Sequence, residues 1–368
     1  MPNRLFRWGK LLPPPPAGTI FVKIVSGRCS AVGIDSDGKA WSVGSNTSGL
    51  LGDGTTINRC CWVRVCCNYT YRDVSVSQRS VLAIKTDCTA VSWGSNDQGV
   101  LGTDGGGDKC FPTPVCCNYT YCKVSISESQ AVGLKTNGCL VSWGYNGAGQ
   151  LGDGTSISRS QPVAVCCNYT YCDIKSCGDS MTGIKTDGCL VSWGENNNGR
   201  LGDGTTINKC RPVAVCCNYT YSRISRGGGY ILAIKTDGCA VGWGDNFLGK
   251  LGNGTRDEKY VPTPICCNYS YCEINAGQDS SFGIKNDGSL VSWGKNYEGQ
   301  LGDGTTNEHC IPALVCSSCT FVDVSSGDGS IAETSDGKFF AWGCNNFGQL
   351  GIGNTTNYCV PTEIIYPA

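Results

Sequence analysis

The chain has 368 residues, with 29 Lys and Arg against 30 Asp and Glu and a formal net charge of −1. That balance lacks the basic excess of a nucleic-acid binder or of a protein drawn to acidic membranes, and no run approaches the ~20 apolar residues of a membrane span. Gly is abundant at 52 while charged residues make up 16%, a composition of short strands and tight turns rather than of helices, where each Gly costs about 1 kcal/mol against Ala.

The N-terminal stretch MPNRLFRWGKLLPPPPAG carries charge but no apolar run of the length a secretory signal needs. Its four prolines favour an extended polyproline conformation, and residues 1–19 read as an arm that packs on the rest of the chain or joins it to a larger assembly. From residue 20 onward one unit of about 50 residues recurs seven times. In the third copy, YCKVSIS (121–127) and QAVGLKT (130–136) alternate apolar and polar residues, as half-buried strands do. Asn137-Gly138 predicts a type I′ hairpin turn. CLVSWG (139–144) is a third strand, a Gly- and Asn-rich loop follows, and PVAVCC (162–167) is a fourth strand whose proline suits an outer edge. Four antiparallel strands repeated seven times specify an all-β chain, a seven-bladed β-propeller over residues 20–368, with the C-terminal strand VPTEIIYPA completing the circle. The recurring Trp-Gly places Trp93, Trp143, Trp193, Trp243, Trp293 and Trp342 as inter-blade packing residues, with Val43 in their place in the first copy.

The repeated block VSWGxNxxGxLGxGT, in register from about residue 20 to 365, resembles the regulator of chromosome condensation repeat family. The resemblance implies a seven-bladed propeller but no single function, since members include a guanine nucleotide exchange factor on chromatin, a plant UV-B photoreceptor, lectin-like proteins, and bacterial and viral proteins. The chain departs from the family pattern where a His usually precedes the Asp-Gly turn: Ser30, Ser80, Gln130, Ser180, Tyr230, Ser280 and Ser330 stand there, and the sole His, His309, falls in a loop. The photoreceptor's Trp-Arg-His-Thr string and a basic chromatin tail are both missing, which weakens the photoreceptor and nuclear readings.

Little in the chain speaks for catalysis. One His without a nucleophile elbow leaves no hydrolytic triad, so no catalytic residue, cofactor or metal site is expected. Asp53, Asp153, Asp203 and Asp303 recur in the LGDGT loop, with Asn253 in a fifth copy; one Asp per loop does not supply the 6–8 oxygens of calcium, and a turn residue bonding its own backbone is the expectation. Lys85, Lys135, Lys185, Lys235 and Lys285 share one rim, where an acidic glycan would fit, but Asp87, Asp187, Asp237 and Asp287 two residues on predict local charge cancellation. The Asn-Tyr-Thr and Asn-Tyr-Ser triplets at Asn68, Asn118, Asn168, Asn218 and Asn268 act as sequons only in a secretory chain.

The 28 cysteines point to an oxidising final environment. A Cys follows the Asp-Gly turn at Cys139, Cys189 and Cys239, with Cys88 one place earlier, and the second Cys of the next Cys-Cys pair is Cys117, Cys167, Cys217 or Cys267. The two positions are filled or empty together in six of seven units, Lys39 with Cys67 being the exception. This predicts disulfides Cys88–Cys117, Cys139–Cys167, Cys189–Cys217 and Cys239–Cys267, staples of about 2–4 kcal/mol each. By strand alternation the first Cys of each pair points to the opposite face, and its partner stays open. The function expected is a non-catalytic, disulfide-stabilised propeller, extracellular or on a virion. It would be structural or adhesive, with other structural proteins or cell-surface glycans as partners. The alternatives are an intracellular interaction scaffold or exchange factor, and a secreted lectin-like glycan binder.

Overall fold

The structure is a computed structural model and describes residues 19, 21–103, 105–216, 219–315 and 318–364; most of the N-terminal arm, Cys217, Cys316 and the last four residues lie outside that range. Twenty-eight strands form seven four-stranded antiparallel sheets, each built from four strands consecutive in sequence. Blade 1 is β1 (Phe21–Ser26), β2 (Ser30–Asp35), β3 (Ala40–Gly44) and β4 (Arg59–Arg64); blade 7 is β25 (Phe321–Ser326), β26 (Gly329–Thr334), β27 (Phe339–Gly343) and β28 (Tyr358–Glu363). Two single 3-10 turns, Asp97–Gly99 and Phe247–Gly249, are the helical segments among the described residues. The first strand of each blade neighbours the first strands on either side, so these strands line an axial channel. The ring closes where β1 packs on β25 and β26, with the Ser26 amide donating to Ser325 Oγ at 2.8 Å.

Blade 3 shows how the repeat folds. Its strands are β9 (Tyr121–Ile126), β10 (Gln130–Lys135), β11 (Leu140–Gly144) and β12 (Arg159–Ala164). The β10–β11 turn is not type I′. Gly138 has φ +82° and Asn137 is not left-handed, and the bonds Gly138 N to Lys135 O and Lys135 N to Cys139 O describe a turn closed by a glycine bulge. In blade 2, Cys88 occupies this left-handed position with φ +70°. The fourth strand starts three residues earlier than its sequence suggests and ends before the cysteines, because Cys166 N leaves the ladder to bond Gly152 O at 2.8 Å. The described Cys-Cys pairs that precede Asn-Tyr therefore lie in the crossings between blades, whereas Cys60-Cys61 lies on β4.

The core consists of clusters that straddle blade boundaries; one unites Val32, Ile34 and Leu50 of blade 1 with Tyr71, Val81 and Trp93 of blade 2. Trp93, Trp143, Trp193, Trp243, Trp293 and Trp342 are fully buried. Five of the indoles donate across the boundary to a carbonyl of the preceding blade's loop: Trp93 to Leu50, Trp143 to Val100, Trp243 to Arg200, Trp293 to Lys250 and Trp342 to Gln300. A glycine lies under each ring, and at Gly152 a Cβ would come within 2.6 Å of Trp193 Nε1. Blade 1, with Val43, meets the same need from another strand. Trp62 of β4 is buried over Gly351 of blade 7, its ring 5.0 Å from that of Phe21.

Candidate functional site

Three surfaces carry the chemistry. The first is the channel. Strand alternation aims the third residue of each inner strand inward, giving Lys23, Asp73, Lys123, Asp173, Arg223, Glu273 and Asp323 in blade order. These charges pair between neighbouring blades: Lys23 with Asp73 at 2.5 Å, Lys123 with Asp173, and Arg223 with Glu273 at 3.2 Å. Two residues on, small polar side chains knit the inner strands. Ser75 accepts from Ile126 N, Ser125 from Ser176 N, Ser225 from Ala276 N, Asn275 from Ser326 N and Ser325 from Ser26 N. Val25 and Lys175 break the series. Burial raises the carboxyls of Glu273 and Asp323 and lowers the Lys175 ammonium.

The second surface is the loop face, where the first hairpin of every blade turns and where the long loops between third and fourth strands lie. Its centre is a polar funnel of about 390 Å³, lined among others by Arg28, Gln78, Glu128, Arg226 and Gln278. Most of its charges are already committed. Arg28 bonds Asp328 at 3.0 Å, Arg200 bonds Glu195 at 2.6 Å, and the buried Lys250 ammonium sits 2.7 Å from Asp245 and 3.1 Å from Asp279. Around the funnel the loops expose Ile57 (60%), Ile157 (59%), Ile207 (65%), Phe247 (66%), Tyr297 (59%) and Phe347 (42%).

The loops stand on their own polar frame. Asn46, fully buried, accepts from Leu51 N and donates to Asp53, Thr55 O and Ile57 O. Asp53 also takes Thr55 N at 2.9 Å and Arg59 at 3.0 Å. The pattern repeats at Asp153 with Arg159, Asp203 with Lys209 and Asp303 with His309. Burial works against these charges, but the bonds from Thr, Asn and the cation outweigh it and hold the carboxyls below their ordinary value. His309 therefore begins a strand rather than sitting in a loop, and serves as the blade 6 counterpart of Arg59, its Nε2 2.8 Å from Asp303 Oδ2. Among the described residues, no three His, Cys, Asp or Glu side chains converge as a metal site.

The third surface is the opposite, crossing face, with the Asp-Gly turns and the Cys-Cys-Asn-Tyr crossings. Each lysine of the predicted rim lies over a crossing tyrosine: Lys85 on Tyr69 at 5.0 Å, Lys135 on Tyr119 at 4.9 Å, Lys185 on Tyr169 at 5.1 Å, Lys235 on Tyr219 at 4.9 Å and Lys285 on Tyr269 at 5.1 Å. Four of the lysines also bond the Asp two residues on, at 2.7–3.2 Å; the bond from Lys85 pulls Asp87 down to about 2. Asn68, Asn118, Asn168 and Asn268 are exposed here. Cys117, Cys139, Cys167, Cys189, Cys239 and Cys267 are exposed on this face, Cys88 is half-buried, and all are thiols; Cys217 lies outside the described residues.

Sequence reasoning missed the channel charges and the apolar circlet. Reading the third residue of each inner strand at the repeat period would have found the first. The second depends on which loop positions the Asn-centred frame turns outward.

Residues 187–234, 287–332 and 336–368 match the Regulator of chromosome condensation (RCC1) repeat, and residues 271–300 match a second form of it. No curated protein matches the chain by sequence. Among solved structures, human WBSCR16 is similar with a TM-score of 0.80 at 19% identity, over 89% of this chain and 94% of that one. Yeast RCC1 (Prp20), solved bound to Kap60, has a TM-score of 0.78 at 18% identity, over 99% and 91%. Prp20p from Saccharomyces cerevisiae, in a study naming its binding to Gsp1p and histones, has a TM-score of 0.77 at 18% identity, over 94% and 87%. At such identities the likeness is one of fold. The chain carries RCC1 repeats and is a seven-bladed propeller.

Proposed function

We propose that this propeller is a non-catalytic protein-binding scaffold whose partner docks on the loop face. The observation that carries the reading is the circlet of exposed Ile57, Ile157, Ile207, Phe247, Tyr297 and Phe347 around a polar funnel. Isolated exposed apolar residues need no explanation, but large ones from six of seven blades on one face are what a docking surface supplies. Yeast Prp20, a similar propeller seen bound to Kap60 and examined for its binding to Gsp1p and histones, supports a protein ligand. The cysteine content supports, as part of the same proposal, a working location outside reducing cytosol, on a particle or an extracellular appendage.

The test is capture after chemical crosslinking with the full tagged chain. Phe247→Asp with Tyr297→Asp on the loop face should lose at least tenfold of the specifically crosslinked protein, and Tyr169→Asp on the crossing face should lose none. Equal capture by the loop-face variant, or loss confined to the crossing-face variant, overturns the assignment of the face. Fractionation after alkylation of free thiols in the source material tests the location; a fully alkylated chain confined to cytoplasm contradicts it.

A further inference from the structure

The first cysteine of a crossing pair lies under the influence of the second, as Cys66 beside Cys67 and Cys266 beside Cys267 show, ahead of Cys110 and Cys310 of the next blade. We infer that the vicinal pairs Cys66-Cys67, Cys166-Cys167 and Cys266-Cys267 are modification sites, each a reversible thiol–disulfide switch closing on itself in response to a low-molecular-weight disulfide. Three observations carry this. The pairs lie beyond the end of the fourth strand, and the second cysteine is left-handed in all three, at φ +75°, +86° and +67°. The alternation that would send adjacent side chains to opposite faces is thus broken. A non-glycine residue held there costs on the order of 1–2 kcal/mol, and the chain keeps cysteine there in all three of these pairs.

The exposures are graded next. Cys67, Cys167 and Cys267 are exposed, while Cys66, Cys166 and Cys266 are half-buried. Burial, then the neighbouring Cys67, raises the Cys66 thiol, and Cys266 is raised in the same way beside Cys267. Finally, the hydroxyls of Tyr71, Tyr171 and Tyr271 are buried without a hydrogen-bond partner. Burial raises these phenols first, and the second cysteine of the adjacent pair is the largest charge-bearing influence after it. An orphan hydroxyl costs about 1–3 kcal/mol; its recurrence in register beside a dithiol marks a polar site built around sulfur.

The chemistry balances. The exposed cysteine, as thiolate, attacks one sulfur of oxidised glutathione and displaces one glutathione thiolate. The half-buried cysteine loses its proton to water and attacks the mixed disulfide. The ring closes and the second glutathione leaves, so two protein thiols are oxidised and one small disulfide is reduced to two thiols. Adjacent Cα atoms lie about 3.8 Å apart, shorter than the usual disulfide range of about 4.4–6.8 Å. The closed ring is therefore strained and belongs with the labile disulfides rather than the structural ones.

The experiment equilibrates the full chain in glutathione buffers of graded ratio, alkylates the remaining thiols and maps peptides by mass. Each pair's peptide should lose two hydrogens with no glutathione attached, and should regain them in excess reduced glutathione. Cys66→Ser should leave glutathione trapped on Cys67, and Cys166→Ser on Cys167 provides an independent copy if the first variant misfolds. Bridges Cys139–Cys167 or Cys239–Cys267, a bridge from Cys66 to another blade, or pairs that stay dithiol at every ratio overturn the inference.

Discussion

Asn253 is the residue that explains its own counterparts. It stands where blades 1, 3, 4 and 6 have Asp53, Asp153, Asp203 and Asp303, and it takes the same bonds from Thr255 N at 3.1 Å and from Asn246 at 3.2 Å. The position needs an acceptor, not a charge. In blade 7, Ile352 stands there, and Asn345 keeps the bond that Asn46 makes to Thr55 O, here to the Asn354 carbonyl at 2.9 Å. Asp203→Asn should therefore cost under about 1 kcal/mol, whereas Asp203→Ala leaves the Thr205 N–H without its acceptor and should cost about 1–3 kcal/mol, read from denaturant midpoints. The depressed carboxyls add a pH dependence. An unfolded Asp takes up a proton more readily than these, so their stabilisation is present above the ordinary value of about 3.9 and is lost as pH falls through the lowered folded one. Stability should drop from about pH 5 toward pH 2, and more shallowly in Asp203→Asn; an unchanged slope would count against these carboxylates as its source.

At the scale of strands and loops, the Trp-Gly positions form a set in which blade 1 is the exception, and Trp62 reaches the vacated place from β4. Trp62→Ala should cost about 3–5 kcal/mol, as a buried indole does elsewhere, even though Trp62 lies outside the repeat's Trp-Gly motif; a cost below about 1 kcal/mol would show that Val43 needs no stand-in. This substitution also marks how far the sequence could be read. Strand number, blade number and the packing tryptophans follow from period 2 within strands and period 50 between them. The boundaries of the fourth strand do not, because Val165 N still bonds Leu140 O while Cys166 N is taken by Gly152 O, a loop carbonyl distant in sequence. The turn type failed for a similar reason: Asn137-Gly138 also suits a glycine bulge, and the strand register, with Leu134 opposite Leu140, selects it. The Trp62 stand-in leaves no periodic trace at all.

Across the whole ring the channel ion pairs follow a period of two blades. Ion pairs join blades 1 to 2, 3 to 4 and 5 to 6. The polar bridges skip the junctions after Val25 and Lys175, so among the described residues the inner strands of blades 4 and 5 share neither link, and that boundary is held by its apolar cluster, by Trp243, by Arg226 reaching Ser180 and Thr182, and by loop bonds such as Asn198 to Glu258. Lys175→Ser removes a confined ammonium and supplies the hydroxyl used at other junctions. It should stabilise by about 1 kcal/mol, seen as a higher thermal midpoint and as slower hydrogen exchange in the inner strands of blades 4 and 5; no change in either would mean that this junction does not limit the ring.

Each blade is also an unbroken run of chain, and among the described residues no sheet borrows a strand from the far end of the sequence. The join between blades 7 and 1 is consequently one packed boundary among seven, not a clasp. Circular permutation should then be tolerated. A chain opened at the crossing between blades 2 and 3, with a Val-Cys-Cys-Asn-Tyr-Thr linker carrying Glu363 to Phe21, should fold to the same propeller, and the choice of first blade becomes a matter of where translation starts rather than of architecture.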